Sequence, residues 1–200
     1  MRLADRLREA LELGRSRMPH LLEGDPLDPL ADPTRPATPA AVLVPIVDRP
    51  EPTVILTLRP ETMRKHAGQV SFPGGRIDPE DQGPVDAALR EAEEEIALPR
   101  SKVEIIGLAD RYRTITGFDV TPVLGVIPPD LPLRPQESEV ADIFEVPLDY
   151  VLRCEHQLIR TGTWRGYERS YYEIEWQGRR IWGATAAMIV NLSRRLELVA

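Results

Sequence analysis

The sequence predicts an α/β fold that combines several short strands with a few helices. The 20 prolines among 200 residues are too many for a bundle of long helices, because proline interrupts a helix interior. Runs rich in valine, isoleucine and leucine recur along the chain and are typical of buried strands. One strongly marked helix lies in the middle of the chain. A chain of this length is sufficient for one domain with a full core.

Several segments carry the pattern of strands. The first two flank a turn-like run, residues 48–52 (DRPEP), and therefore predict strands joined by a tight connection. Near the C-terminus, Gln177 and Gly178 separate two strand-like halves and predict a hairpin. The predicted strands are residues 40–47, 53–59, 103–108 and 120–127, with the hairpin over 168–182.

Helical periodicity marks residues 3–13, 83–98 and 184–198. In the middle helix, Pro84 suits the first helical position, Asp86 lies in the first turn and Pro99 ends the pattern. The buried stripe predicted for this helix consists of Val85, Leu89, Ala92 and Ile96.

The domain organisation follows from the proline-rich residues 24–39. Such a segment predicts an extended linker that holds neither a helix nor a strand ladder. We therefore expect residues 1–39 to form an N-terminal amphipathic helix and linker packed on a domain of residues 40–200.

Composition excludes several classes of function. The net charge of -7 and the pI of about 5.1 oppose general nucleic-acid binding, which depends on cationic surfaces. The chain has neither an apolar run of about 18 residues for a membrane span nor the apolar core of a signal peptide, so we expect a cytoplasmic protein without membrane partners. The lone Cys154 excludes an intramolecular disulfide and a zinc ribbon.

Three glutamates of the middle helix, Glu91, Glu94 and Glu95, lie three and four positions apart and so project from one side. A solvated polar face is the common explanation of such a pattern. Here the helical neighbours include the small Ala87 and Ala88, and few cations balance the acids. A hard cation such as Mg²⁺ or Mn²⁺ would turn this mutual repulsion into coordination.

The segment before the helix combines adjacent glycines with a change of charge. Gly74 and Gly75 permit close approach of the backbone, although an ordinary turn would explain them equally well. Residues 59–76 are mainly cationic, whereas residues 78–95 carry eight acids against Arg90 alone. This order favours a ligand with several phosphates, one part held by arginine and another by bound metal.

Residues 75–98 resemble the Nudix box, G-x5-E-x7-R-E-U-x-E-E-x-G-U. Gly75, Arg90 and the three glutamates stand at their places in this pattern. The loop is one residue longer than usual, Asp81 replaces the glutamate, and Ala97 replaces the final glycine. Residues 56–59 (LTLR), Arg64, Gly68 and residues 72–75 (FPGG) resemble the additional signature of the coenzyme A diphosphatase branch of this family.

The resemblance implies an α/β/α sandwich, a mixed β-sheet flanked by helices. It also implies that Mg²⁺ or Mn²⁺ is bound by Glu91, Glu94 and Glu95, and that Arg90 orients a glutamate of the box. A metal-activated water would then cleave a diphosphate without a covalent enzyme intermediate. The general base stays open between Glu91 and the later acids Glu137 and Glu139, the second of which is also a candidate metal ligand.

For the branch, the implied substrate is coenzyme A or an acyl-CoA, cut to 4′-phosphopantetheine and adenosine 3′,5′-bisphosphate. Residues expected to contact it are Arg59, Arg64, His66, Gly74 and Gly75. Surface salt bridges for the arginines and a structural role for the histidine have similar weight.

Two alternatives remain open at this level. One is a Nudix diphosphatase for a nucleotide sugar or dinucleotide, and the other is a non-catalytic nucleotide-binding module. The sequence also leaves a homodimer open.

Overall fold

The larger sheet of the protein is mixed. The computed structural model describes residues 1–17, 19–25, 36–62, 67–164 and 166–196. Its strands are β1 (Thr38–Val47), β2 (Thr53–Leu58), β3 (Val70–Ser71), β4 (Gly74–Arg76), β5 (Glu104–Leu108), β6 (Tyr112–Arg113), β7 (Phe118–Ile127) and β8 (Asp142–Pro147). Strands β3, β2, β1, β7 and β5 lie side by side, while β4 pairs with β1, β6 with β7 and β8 with β2. Strands β1 and β7 run parallel along their whole length, and the other pairs are antiparallel.

A smaller antiparallel sheet and the helices complete the fold. The smaller sheet has the order β11, β10, β9. Its strands are β9 (Leu158–Trp164), β10 (Tyr167–Trp176) and β11 (Arg179–Trp182), and the helices are α1 (Leu3–Arg17), α2 (Pro84–Ile96), α3 (Leu148–Leu152) and α4 (Ala184–Leu196). Across the described ranges, none of the helices is long and apolar enough to cross a membrane.

Two hydrophobic clusters separate the layers. One unites α1 and α4 with one face of the large sheet, and Leu7 and Ile189 are fully buried within it. The other lies between α2 and the opposite face, where Ala88 packs with Leu43. Helices therefore cover both faces of a mixed sheet, and the predicted α/β/α sandwich is confirmed.

Most predicted elements form close to their expected limits. Helix α1 continues to Arg17, and α4 ends at Leu196, with residues 197–200 outside the described part of the chain. Gln177 and Gly178 have φ values of 47° and 77°, the left-handed conformations that a two-residue hairpin turn requires. Local sequence patterns did not predict β3, β4, β6, β8, β9 or α3.

The prediction of a linker without a ladder is wrong at both ends of residues 24–39. Gly24 forms an isolated bridge with Arg113, and β1 already begins at Thr38. Pro39 lacks an N–H group, but its carbonyl oxygen still accepts a hydrogen bond from Ile77 at 3.1 Å. Residues 26–35 of the predicted linker lie outside the described residues.

The predicted buried stripe of α2 is only partly correct. Ala92 and Ile96 are buried, but Val85 and Leu89 are partly exposed. Ala87, Ala88 and Glu95 are buried as well. The small side chains of Ala87 and Ala88 let α2 approach the sheet closely, so the helix packs on the sheet with the face that carries them. This orientation also brings the carboxylate of Glu95 into the interior.

Candidate active site

Helix α2 and the glycine strand β4 form the framework of the site. Pro84 begins the helix, and Ala97 ends it in the left-handed conformation with φ 54° and ψ 33°. The N–H of Ala97 donates to the carbonyl of Glu93, which closes the last turn. Alanine thus adopts the conformation that the usual glycine favours, at a cost of about 1 kcal/mol.

Arg90 is the centre of a hydrogen-bond network between the loop and the helix. Its Nε and Nη2 donate to the two carboxylate oxygens of Asp81 at 3.0 and 2.9 Å, and Nη2 also donates to the carbonyl of Arg76 at 3.0 Å. Its Nη1 donates to Glu91 at 2.9 Å and to Glu94 at 3.2 Å. The hydrogen bonds from Arg90 hold the pKa of Asp81 below its ordinary value. Asp81 is shorter than the usual glutamate and lies on a loop one residue longer, and it still forms a bidentate ion pair with Arg90.

Glu95 is a buried carboxylate with little compensation. The residue is 3% exposed. The N–H of Gly74 donates to its Oε2 at 3.1 Å, and the Nη1 of Arg59 lies 3.8 Å from its Oε1. Burial raises the pKa of Glu95 to about 8, although Gly74 and Arg59 act in the opposite direction. The ionised form of Glu95 is thus costly in the absence of a cation.

Glu91 lies directly against Gly75. A Cβ atom on Gly75 would stand 2.4 Å from Oε1 of Glu91, so only glycine leaves room for this carboxylate in its present position. Burial raises the pKa of Glu91 despite the hydrogen bond from Arg90. Glu94, by contrast, has a side chain that is 60% exposed and contacts Arg90 from outside.

The segment with the later acids docks on the C-terminal end of α2. The N–H of Gln136 donates to the carbonyl of Glu95 at 2.8 Å, and the N–H of Arg134 donates to that of Ile96 at 3.1 Å. Glu139 is near enough for its charge to raise the pKa of both Glu91 and Glu95. Glu137 is exposed. The backbone contacts between residues 134–136 and α2 had no signal in the sequence.

The acids fit a hard divalent cation by chemistry, although their arrangement is not a complete coordination shell. Within the described part of the chain, no three His, Cys, Asp or Glu side chains form a group that could hold a metal ion. Glu91 and Glu94 both turn toward Arg90 instead of a common centre. Carboxylate oxygens are nevertheless the ligands that Mg²⁺ and Mn²⁺ prefer, and two acids with raised pKa values lie where a cation would offset their burial.

Arg59 is the predicted phosphate-binding residue that the structure places near this site. Its Nε is buried and has no hydrogen-bond partner among the described residues, while its Nη1 faces Glu95. A buried guanidinium N–H without an acceptor is suited to a phosphate oxygen. Arg64 and His66, which we expected to act with it, lie outside the described residues. Asp81 was not among the predicted ligands or catalytic residues, although its place in the box pointed to it.

Comparison with known proteins identifies relatives of this chain. Residues 37–161 match the family model of the NUDIX domain. The chain is 47% identical over 161 residues to the uncharacterized Nudix hydrolase NudL of Escherichia coli K12, covering 78% of this chain and 82% of that protein. NudL of Cronobacter sakazakii is 47% identical over 157 residues with the same coverage. A crystal structure of a Nudix hydrolase from M. smegmatis, RenU, superposes with a TM-score of 0.50 at 24% identity, over 64% of this chain and 82% of that one, and supports the fold.

Proposed function

Because the chain belongs to the Nudix hydrolase family, whose members act on pyrophosphate bonds, we propose that it hydrolyses the diphosphate of coenzyme A or an acyl-CoA with Mg²⁺ or Mn²⁺. The products would be 4′-phosphopantetheine and adenosine 3′,5′-bisphosphate. The observation that carries the proposal is the buried Glu95, which lies between the N–H of Gly74 and the guanidinium of Arg59. Arg59 and Gly74 belong to the segment that resembles the coenzyme A signature, and Glu95 belongs to the box.

Glu91, Glu94, Glu95 and Glu139 would hold the metal ions. A bound divalent ion supplies charge for the phosphate oxygens and lowers the pKa of a water molecule. The protein itself positions the carboxylates that would bind the metal ions. Asp81 fixes Arg90 through two hydrogen bonds, and Arg90 in turn holds Glu91 beside Gly75.

The candidate acceptors for the proton of the attacking water are Glu91 and the later acids Glu137 and Glu139. Glu91 has a pKa raised by burial, which makes it a better base than an exposed carboxylate. Glu139 lies on the exposed segment that docks on α2 and approaches the same acids. Glu91 and Glu139 both border the proposed site.

Arg59 would bind the diphosphate. Its buried Nε lacks an acceptor among the described residues, and a phosphate oxygen would supply one. The same guanidinium faces Glu95, so the diphosphate of the substrate and a proposed metal ligand would lie next to each other at Arg59. This juxtaposition supports cleavage at the diphosphate and not elsewhere in the substrate.

A substrate panel tests the proposal. Purified protein with Mg²⁺ or Mn²⁺ is incubated with CoA, acetyl-CoA, ADP-ribose, NADH and nucleoside triphosphates, and products are separated by chromatography. We expect the highest kcat/KM for the CoA species. Preference for ADP-ribose or NADH would overturn the substrate and favour a nucleotide sugar or dinucleotide.

A matched pair of variants tests whether the box is catalytic. Glu94→Gln should lower kcat by at least about a hundredfold, as expected for a metal ligand. Glu93→Gln removes the same charge from the same helix, but Glu93 pairs with Arg100 away from the site, so its activity should stay near wild type. Equal activity of both variants would favour a non-catalytic module.

A further inference from the structure

Paired residues of β2 and β3 form a polar patch next to Arg59. Thr57 is paired with Ser71 across the two strands. The pairing continues beyond the strand ends, because the N–H of Arg59 donates to the carbonyl of Gln69 at 3.0 Å. The hydrolysis proposed above uses Arg59 but leaves Thr57 and Ser71 without a role.

Thr57 and Ser71 lie on the face of the large sheet that carries α2. Ile55, two residues before Thr57, packs in the hydrophobic cluster beneath α2. Arg59, two residues after Thr57, directs its guanidinium to Glu95. Because alternate residues of a strand project from the same face, Thr57 lies between them on that face. The Thr57 Oγ1 and the Ser71 Oγ are 3.2 Å apart, so the Ser71 side chain lies on this face too.

Ser71 is close to both groups that contact the buried carboxylate of Glu95. Ser71 and Arg59 are diagonal neighbours across β2 and β3, a placement of about 7 to 8 Å that a long side chain spans. Three residues after Ser71, the N–H of Gly74 donates to Oε2 of Glu95 at 3.1 Å. Ser71 therefore borders the place where Arg59 would bind the diphosphate.

The hydroxyl of Ser71 is available to a ligand, whereas that of Thr57 is not. Thr57 is 1% exposed, and its Oγ1 donates to the Ser71 carbonyl at 3.1 Å. This bond uses the single hydroxyl hydrogen of Thr57, since a carbonyl oxygen can only accept. Ser71 is partly exposed, and Thr57 is the one partner of its Oγ among the residues that the structure describes. The Ser71 hydrogen is therefore free to turn toward an anionic oxygen.

A hydroxyl beside a guanidinium suits a phosphate oxygen. Arg59 supplies positive charge through a buried Nε that lacks an acceptor among the described residues. Ser71 would add a directional hydrogen bond to the same anion. The ionised carboxylate of Glu95 has no hydrogen to donate, so its part is confined to a cation.

We propose that Ser71 donates a hydrogen bond to the substrate diphosphate beside Arg59, and that Thr57 positions Ser71 for this contact. The inference rests on the proposed function, because it adds a binding residue to the same site. The diphosphate is common to coenzyme A and to the alternative substrates, so the role of Ser71 is the same for each of them.

The kinetic test uses the substrate that the panel identifies as preferred. Ser71→Ala should raise KM about tenfold and leave kcat within about twofold, because a hydrogen bond to a charged group is lost from ground state and transition state alike. Ser193→Ala is the control, since its hydroxyl donates to the Val190 carbonyl within α4, on the opposite side of the sheet. An unchanged KM in Ser71→Ala, or an equal change in both variants, would overturn the inference.

Thr57→Val tests the positioning role. Valine keeps the shape of the side chain but loses both hydrogen bonds to Ser71, including the one to its carbonyl. Thr57→Val should therefore melt at a lower temperature than Ser71→Ala and yet raise KM by only about threefold. If Ser71 were merely structural, KM would instead follow the order of stability. A larger KM for Thr57→Val than for Ser71→Ala would contradict a direct contact of Ser71.

A binding test separates this inference from the proposed function. In calorimetry with Mg²⁺, inorganic diphosphate should bind Ser71→Ala about tenfold more weakly than wild type, and Ser193→Ala as tightly as wild type. Weaker binding by Ser71→Ala, in a protein whose wild type leaves CoA intact, would support the role of Ser71 and overturn the proposed function. A wild type that cleaves CoA, with equally tight diphosphate binding by Ser71→Ala, would overturn the role of Ser71 alone.

Discussion

Two buried glutamates of this protein have opposite electrostatic surroundings. Glu173, in the smaller sheet, accepts hydrogen bonds from both Arg160 and Arg180. Burial disfavours its ionised form, but the two arginines outweigh burial and hold its pKa below the ordinary value. Glu95, on α2, has one backbone N–H and a cation at 3.8 Å, and burial raises its pKa to about 8.

The difference separates a structural carboxylate from one suited to a ligand. The charge of Glu173 is neutralised by the protein itself, so it needs nothing further. The charge of Glu95 is not neutralised in this way, and a bound group that supplies positive charge would offset the free-energy cost of burying the ionised carboxylate. This contrast supports the proposal that a metal ion binds at α2 and not at the smaller sheet.

The largest effect is expected from Glu95→Gln. Loss of this carboxylate should lower kcat for the preferred substrate by at least about a hundredfold, because a proposed metal ligand is removed. Without metal and at pH 7, the same variant should melt at a higher temperature than wild type, since Glu95 must take up a proton or bury its charge when the chain folds and the amide does neither. Steady-state kinetics and calorimetry in EDTA measure the two effects. A variant that is less stable in EDTA would contradict the account of Glu95.

The pH dependence of stability should differ in sign between the two glutamates. In metal-free protein, Glu95 keeps its proton up to about pH 8, whereas in the unfolded chain it loses it near 4.5. Its contribution to the free energy of unfolding is therefore full below 4.5 and falls as the pH rises through about 8. Mg²⁺ and Glu95→Gln should each reduce this fall.

Glu173 provides the opposite case. Because its folded pKa is lowered, its contribution is present above the ordinary value of 4.5 and is lost as the pH falls below it. Glu173→Gln should remove this acid-side loss and leave the fall at alkaline pH. Thermal melts from pH 3 to 9, with and without Mg²⁺, test both predictions. An unchanged pH profile of Glu95→Gln would contradict the prediction for Glu95, and an unchanged profile of Glu173→Gln would contradict the prediction for Glu173.

A smaller effect is expected from Gly75→Ala. The new Cβ would lie 2.4 Å from Oε1 of Glu91 and force this carboxylate to move. We expect kcat/KM to fall about tenfold with little change in melting temperature, because the displaced group is the end of a side chain. Gly117→Ala is the control: with φ 87° and open space around it, it should lower stability but not activity. A fully active Gly75→Ala enzyme would show that the position of Glu91 is unimportant.

The smallest effect is expected from Ala97→Gly, at the end of the helix that carries Glu95. Alanine holds a φ of 54° there, so glycine should raise the free energy of unfolding by about 0.5 to 1 kcal/mol. The carboxylates are untouched, and activity should not change. Chemical denaturation measures the gain, and a loss of stability would indicate that the alanine methyl group contributes packing.

The elements that could be predicted are those encoded by neighbouring residues. The limits of α2 follow from Pro84 and Pro99, and the β10–β11 turn follows from Gln177 and Gly178. The inner face of α2 was harder to predict, because hydrophobic periodicity placed the larger Val85 and Leu89 inside and left Ala87 and Ala88 out of the buried stripe. How closely the helix packs on the sheet depends on the side chains of both elements. The periodicity of the helix sequence reports only the side chains of the helix.

The sequence by itself determined that a helix forms over α2, that its glutamates recur three and four residues apart, and that glycines precede it, because all of these depend on local spacing. Only the tertiary structure decided which acid would be buried and which cations would reach it. Arg59, Gly74 and Gln136 come to Glu95 from distant parts of the chain. Burial and charge pairing are properties of such long-range contacts, and they make Glu95 differ from Glu94, its exposed neighbour on the same helix.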